Sequence, residues 1–112
     1  MQGALQGIKV IEVSQVLAAP FCGYLFSLLG AEVIKVELPD APDCARHRGP
    51  IPELNKIGLG LTYQVQGANK KSIAIDLRTS SGREALLRLV ETADVFLENY
   101  ATGVMEELGL GY

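Results

Sequence analysis

The sequence predicts an α/β fold built on a parallel sheet, and three observations carry that reading. Four segments of strand length are rich in Val and Ile: 8–13 (IKVIEV), 32–37 (EVIKVE), 72–77 (SIAIDL) and 94–98 (DVFLE). Stretches with helical character lie between them. Strand–helix–strand order repeated along one chain brings parallel strands together through right-handed crossovers. The chain has 112 residues, so length allows one domain.

The first strand, Ile8–Val13, leads through Ser14–Ala19 into a helix expected over Pro20–Leu29. Proline at a first helical position wastes no hydrogen bond, and Gly30 can take the left-handed position that ends the helix. Its sequence, PFCGYLFSLL, is apolar on nearly every side, which predicts deep burial. The second strand, Glu32–Glu37, opens into a different connection. Residues 38–60 carry Pro39, Pro42, Pro50 and Pro52 with Gly49, Gly58 and Gly60 and have no helical period. A loop of that length in a compact domain is usually functional. A short helix over Leu61–Gln66 precedes the third strand, Ser72–Leu77. An amphipathic helix is then expected over Ser81–Ala93, with Ser81 and Glu84 as a capping box. Leu86, Leu89, Val90 and Ala93 fall on its inner face, while Arg83, Glu84, Arg88 and Glu91 cover the solvent side. The fourth strand, Asp94–Glu98, is followed by a short helix at Gly103–Leu108. Four strands with two long helices are too little to cover both faces of a parallel sheet. The expectation is therefore residues 1–112 as a partial, Rossmann-like α/β domain cut off after its fourth strand.

Composition excludes several classes. Apolar residues make up 48% of the chain and mean hydropathy is +0.21, unlike a disordered segment. No charge-free window reaches the about 20 residues of a bilayer span, the longest being residues 13–31, and no secretory signal is visible. The expectation is a cytoplasmic globular chain without membrane partners. With 10 Lys+Arg against 13 Asp+Glu the formal charge is −3, and Trp is absent, which argues against a nucleic-acid partner. Cys22, Cys44 and His47 are too few for a closed zinc site. The two cysteines leave a disulfide open, with nothing pointing to an oxidising compartment.

Ligands of open α/β sheets sit outside the carboxyl ends of the strands. Three segments leave those ends: Ser14–Ala19, Leu38 onward and Asn99–Gly103, with the Leu77–Thr79 turn on the same rim. Neither a G-x-G-x-x-G nor a P-loop fingerprint is present. The helix after Ser14–Ala19 could hold an anion at its N-terminus, though an ordinary strand-to-helix loop explains that segment equally well. Lys70, Lys71 and Arg78 flank the third strand and could meet phosphates; solvated charges beside a buried strand are the simpler reading. Arg46, His47 and Arg48 form a charge run in the Pro-rich loop, again most simply solvated. Asn99 and Tyr100 could hydrogen-bond and stack on a heterocycle, and turn chemistry explains the Asn as well. His47 has no partner at triad spacing, and Asp40, Asp43, Asp76 and Asp94 read as turn or cap residues.

Taken in order, LQGIKVIEV (5–13), VLAAPFCGYLFSLLGAEVIKVE (16–37), ANKKSIAIDLRTSSGREALLRLVETADVFLENY (68–100) and GVMEELGLGY (103–112) resemble the N-terminal part of the family III CoA-transferases, which include formyl-CoA and carnitine-CoA transferases. The resemblance implies roughly the first quarter of a family member. It implies an α/β enzyme working as an interlocked homodimer, with CoA thioesters and carboxylic acids as substrates and no tightly bound cofactor. In that chemistry an aspartate attacks the acyl-CoA thioester, giving a mixed anhydride and then an aspartyl-CoA thioester. The family's nucleophile lies beyond position 112, so no catalytic residue is assigned and the isolated chain is expected to be inactive. It is also expected to aggregate or to need a partner.

The resemblance carries over part of a CoA site. Leu17 and Ala18 match the loop after the first strand, with Leu17 standing where the formyl-CoA branch has Gln. Ile75, Asp76, Leu77 and Arg78 match a segment lining the nucleotide pocket, with Arg78 as the phosphate or ribose partner. Asn99, Tyr100 and Ala101 match the segment bordering the adenine end. Leu38 stands where the family often has Arg on the CoA phosphates, Glu107 replaces another Arg, and the usual Arg-Pro-Gly reads Ala101-Thr102-Gly103. Each lost charged hydrogen bond weakens nucleotide binding by about 1–3 kcal/mol. Two alternatives accompany the transferase reading. One is an α-methylacyl-CoA racemase, the same scaffold with His/Asp acid–base chemistry, although the long Pro-rich loop is closer to the transferases. The other is a non-catalytic α/β binding or assembly module, supported by the missing cations.

Overall fold

A computed structural model describes residues 2–112. Strands β1 (Lys9–Val13), β2 (Glu32–Glu37), β3 (Lys71–Ala74) and β4 (Val95–Glu98) form one sheet in the order β3-β2-β1-β4, with every pairing parallel. Helix α1 (Ala18–Leu28) joins β1 to β2, and α4 (Ser80–Val90) carries the chain from β3 back across to β4. The direction of travel reverses between β1 and β4. Right-handed crossovers running in opposite directions put their helices on opposite faces.

Side-chain alternation along the strands bears this out. Ile11, Val13 and Val36 pack with Leu86 of α4 on one face. Val10 and Val33 pack beneath Phe26 of α1 on the other. The sheet thus has helices on both faces, more cover than four strands and two helices suggested. What stays open is the β3 edge, where all four residues are exposed.

The ends of α1 follow local chemistry. The Gly30 N–H bonds to the Ser27 carbonyl and the Ala31 N–H to that of Phe26, with Gly30 at φ +99°, which is a Schellman stop. The helix begins two residues earlier than expected. Pro20 still falls in the first turn, where no intrahelical N–H partner is needed. The expectation of deep burial fails, however. The buried residues of α1 are the small ones, Ala19, Pro20, Gly23 and Ser27, while Phe21, Leu25 and Leu28 stand 49%, 43% and 59% exposed. The small face lies over the sheet because charged groups, described below, fill the space beneath it.

Further boundaries depart from the sequence reading, among them the end of α4, at Val90 and not Ala93. The Pro-rich segment is not all loop: it holds a 3-10 turn at Cys44–His47, capped by the Asp43 carboxylate on the Ala45 N–H, and helix α2 (Pro52–Lys56) with proline in its first turn. Both are too short to show a period. Helix α3 (Leu61–Gly67) follows as expected. Strand β3 ends at Ala74 because, after the Ile75 N–H bonds to the Glu37 carbonyl, Asp76 turns the chain by accepting the Arg78 N–H. The cap of α4 is Thr79, whose hydroxyl accepts the Gly82 N–H at 3.0 Å, not Ser81. Helix α5 (Val104–Glu107) closes the described chain.

Candidate functional site

In a parallel sheet buried on both faces, strands read as nearly continuous apolar runs. Glu12 and Lys35 interrupt two of these runs, and the register places them side by side. They point to the α1 face and meet there. Lys35 Nζ lies 3.1 Å from Glu12 Oε2 and 3.0 Å from Asp43 Oδ2, and it donates to the Ser14 hydroxyl at 2.9 Å. The Ser14 hydroxyl donates to Glu12 Oε2 at 2.7 Å. Lys70 comes in from the end of the α3–β3 turn, 2.6 Å from Glu12 Oε1, and donates to the Pro20 carbonyl at 2.7 Å. All four charged side chains are at most 2% exposed. Two ammoniums against two carboxylates make the cluster neutral, the condition under which buried charges are tolerated. Burial lowers the Lys70 pKa, and the bond to Glu12 opposes that shift without cancelling it.

A second cluster sits beside it at the end of β2. Arg46 grips Glu37 with two parallel bonds of 2.9 and 2.6 Å, donates to the Tyr63 hydroxyl at 2.7 Å, and stacks its guanidinium 3.8 Å from the Tyr63 ring centre. Glu37 also accepts the Asp43 N–H at 2.9 Å. Burial pushes the Glu37 carboxyl up, but Arg46 and the Asp43 N–H outweigh it and hold the group below its ordinary value. Burial and the facing Glu37 carboxylate push the Tyr63 hydroxyl up to about 12.

These clusters underlie the rim formed by the carboxyl ends of the strands. The β1–α1 loop is tied down from two sides. Gln15 gives its N–H to Asn99 Oδ1 and takes Asn99 Nδ2–H on its carbonyl, both at 2.9 Å, and the Val16 N–H reaches Asp43 Oδ1 at 3.0 Å. Val16 is held at φ +64°, a left-handed conformation rarely adopted by β-branched residues.

The sequence-derived residues fall into two groups on this rim. Leu17, 60% exposed, and Ala18 start α1 beside the β1/β4 switch point, and Asn99, exposed Ala101 and half-buried Tyr100 leave β4 at the same end of the sheet. The Asn99 amide is spent on the Gln15 backbone. At the β2/β3 end, Leu38 lines a groove of about 450 Å³ with Pro39, Arg46 and His47. Ile75 and Leu77 are buried in the core, and Asp76 and Arg78 turn outward. The Arg78 guanidinium is held by Asp76 at 2.8 Å and by Asp40 at 2.8 Å, which raises its pKa and lowers that of Asp76. Arg78 therefore meets carboxylates of its own chain before any phosphate. His47 is exposed, its Nδ1 2.7 Å from the Asn55 carbonyl. Cys22 and Cys44 are free thiols, and no group of metal-ligating side chains assembles among the described residues.

Sequence reasoning missed Glu12, Lys35, Glu37 and Tyr63 and read Lys70 and Arg46 as solvated charges, while Asp43, read as a turn or cap residue, does cap the 3-10 turn and also joins the buried cluster. The available signal was a charge inside each of two Val/Ile runs, because a charge there must find a partner.

An all-parallel sheet whose strand order reverses beside its first strand, with structured loops at that reversal, has the open α/β architecture in which the topological switch point is the usual place for a ligand. Residues 5–112 match the model of CoA-transferase family III. The chain belongs to that family. It is 41% identical over 116 residues to an acyl-CoA transferase of Fusarium pseudograminearum, covering 99% of this chain and 25% of the relative. It is 45% identical over 108 residues to the succinyl-CoA–D-citramalate CoA-transferase of Chloroflexus aurantiacus, covering 96% and 26%. The crystal structure of a CAIB/BAIF family protein from Brucella suis superposes on the whole chain with a TM-score of 0.87 at 37% identity, over 30% of that protein. The chain thus spans about a quarter of the length of the curated relatives it matches. Those relatives are named as CoA-transferases, which favours the transferase over the racemase. Among the described residues no helix is long and apolar enough to cross a membrane.

Proposed function

We propose that the chain forms the CoA-binding first part of an enzyme that moves CoA between carboxylic acids through an aspartyl intermediate, with the nucleophile supplied from outside these residues. The observation that carries this reading is the β1/β4 switch point. There Gln15 of the loop after β1 and Asn99 of the segment after β4 are joined by two hydrogen bonds, within residues that match the family. Loops already held by such bonds bind a ligand at a lower ordering cost. In this reading Leu17, Ala18, Asn99, Tyr100 and Ala101 border the ligand at the switch point. Leu38, Asp76 and Arg78 border the nucleotide on the β2/β3 side, and Ile75 and Leu77 support that side from the core. CoA thioesters are substrates and not resident cofactors. The working form is an interlocked homodimer in the cytoplasm.

Isothermal titration of the chain with acetyl-CoA tests the binding step, with saturable heat as the expected result. Absence of binding to both acetyl-CoA and free CoA would overturn the reading and favour the non-catalytic module, for which Leu38, Glu107 and the self-paired Arg78 already speak. Turnover of acyl-CoA by the purified chain alone would overturn the external nucleophile.

A further inference from the structure

Within the β1–α1 loop the Leu17 N–H bonds to the Gln15 carbonyl at 3.0 Å, closing a tight three-residue turn around Val16 at φ +64°, a strained conformation for a β-branched residue. Two loops that leave other strands hold this turn in place. Asp43, from the segment after β2, accepts the Val16 N–H on Oδ1. It has no freedom to turn away: Oδ1 also accepts the Ala45 N–H at 3.0 Å, Oδ2 pairs with Lys35 at 3.0 Å, and the side chain is 1% exposed. Lys35 is itself fixed by Glu12 and Ser14. Asn99, from the segment after β4, holds Gln15 by both ends of its amide. The strained residue lies between these two clamps and immediately precedes Leu17 and Ala18 at the switch point. Strained backbone held by its surroundings clusters at ligand sites.

We infer that Asp43, locked by the buried Lys35, is a positioning residue that sets the backbone of Val16–Ala18 for a ligand at the β1/β4 switch point, with Asn99 as the second clamp. The identity of that ligand rests on the CoA reading; the clamp does not. If Asp43 only capped the 3-10 turn, its removal would loosen residues 44–47 and leave the loop across the rim as it was.

The test uses the 112-residue chain with Asp43→Ala, Val16→Gly and the double variant, read by amide exchange and by acetyl-CoA titration. In Asp43→Ala the Val16 N–H should exchange about tenfold faster, the equivalent of one charge-assisted hydrogen bond, while the β1 amides of Val10 and Ile11 keep their rates. Acetyl-CoA affinity should fall by about tenfold. Glycine occupies φ +64° without strain, so the same Asp43→Ala change made together with Val16→Gly should cost less than about threefold. Equal losses with and without Val16→Gly would overturn the proposal, as would unchanged exchange at Val16. Should Asp43→Ala fail to fold, Asn99→Ala carries the test through exchange at the Gln15 N–H, expected to accelerate. A wild-type chain that shows the exchange pattern but binds no acetyl-CoA overturns the CoA reading and leaves the clamp standing.

Discussion

Lys35 shows what a single residue can commit a fold to. Its ammonium touches two carboxylates and a hydroxyl with almost no access to water, so none of these groups can leave the cluster cheaply. Lys35→Met should destabilise the chain by about 3–5 kcal/mol, because Asp43 is left buried without a cation and Glu12 keeps only Lys70; urea unfolding measures this. Glu37 and Tyr63 set the pH limits on stability in opposite directions. The Glu37 carboxyl titrates below its ordinary 4.5, so the folded state binds fewer protons than the unfolded state in that range, and stability is lost as pH falls through 4.5 and below. The Tyr63 hydroxyl is raised from 10.0 to about 12, so above pH 10.0 the unfolded chain loses a proton that the folded chain keeps, and stability falls as pH rises. Tyr63→Phe should abolish a tyrosinate absorbance transition near pH 12 and flatten the alkaline limb of the stability profile.

At the scale of elements, α1 is shaped by the cluster beneath it. Gly23 lies directly over the Glu12 carboxylate, and a Cβ built there would run into Glu12 Oε1 with Lys70 Nζ close behind. Gly23→Ala raises helix propensity but should still destabilise by about 1–3 kcal/mol, since the overpacked atom belongs to a pinned ion pair. A higher melting temperature for Gly23→Ala would show that the cluster yields. Helix α4 offers the contrast of an ordinary element: Thr79→Ala removes its cap and should cost about 1 kcal/mol, while Ser81→Ala should cost little. Paired thermal melts of the two variants decide which residue is the cap.

For the whole molecule, the exposed side chains of Leu17, Phe21, Leu25 and Leu28 recur along one face of α1, and a groove of about 550 Å³ lined by Leu86, Val90, Phe96, Met105 and Leu110 lies open on the α4 side. Apolar surface of this kind drives association. Sedimentation of the 112-residue chain should show concentration-dependent self-association that Phe21→Lys together with Leu25→Lys reduces. A concentration-independent monomer with a cooperative melt would contradict this.

Periodicity and composition by themselves determined the α/β class, the presence of four strands and their succession along the chain, the amphipathic α4 and the Gly30 stop, because each depends on local backbone preference or on a repeat several residues long. The stretches at 5–37 and 68–112 likewise marked the family, since their order survives along the chain. How α1 sits and what lies under it are set by contacts between distant segments. An apolar helix can bury any face, and the face chosen follows from Glu12, Lys35, Asp43 and Lys70 meeting from four separate segments, a contact no local window contains. The same holds for Asn99. In sequence it is a turn residue or a ligand contact, and in space it is half of the clamp on a strained loop. Hydrogen bonds between residues 84 positions apart are set by strand order, and strand order is a property of the folded sheet.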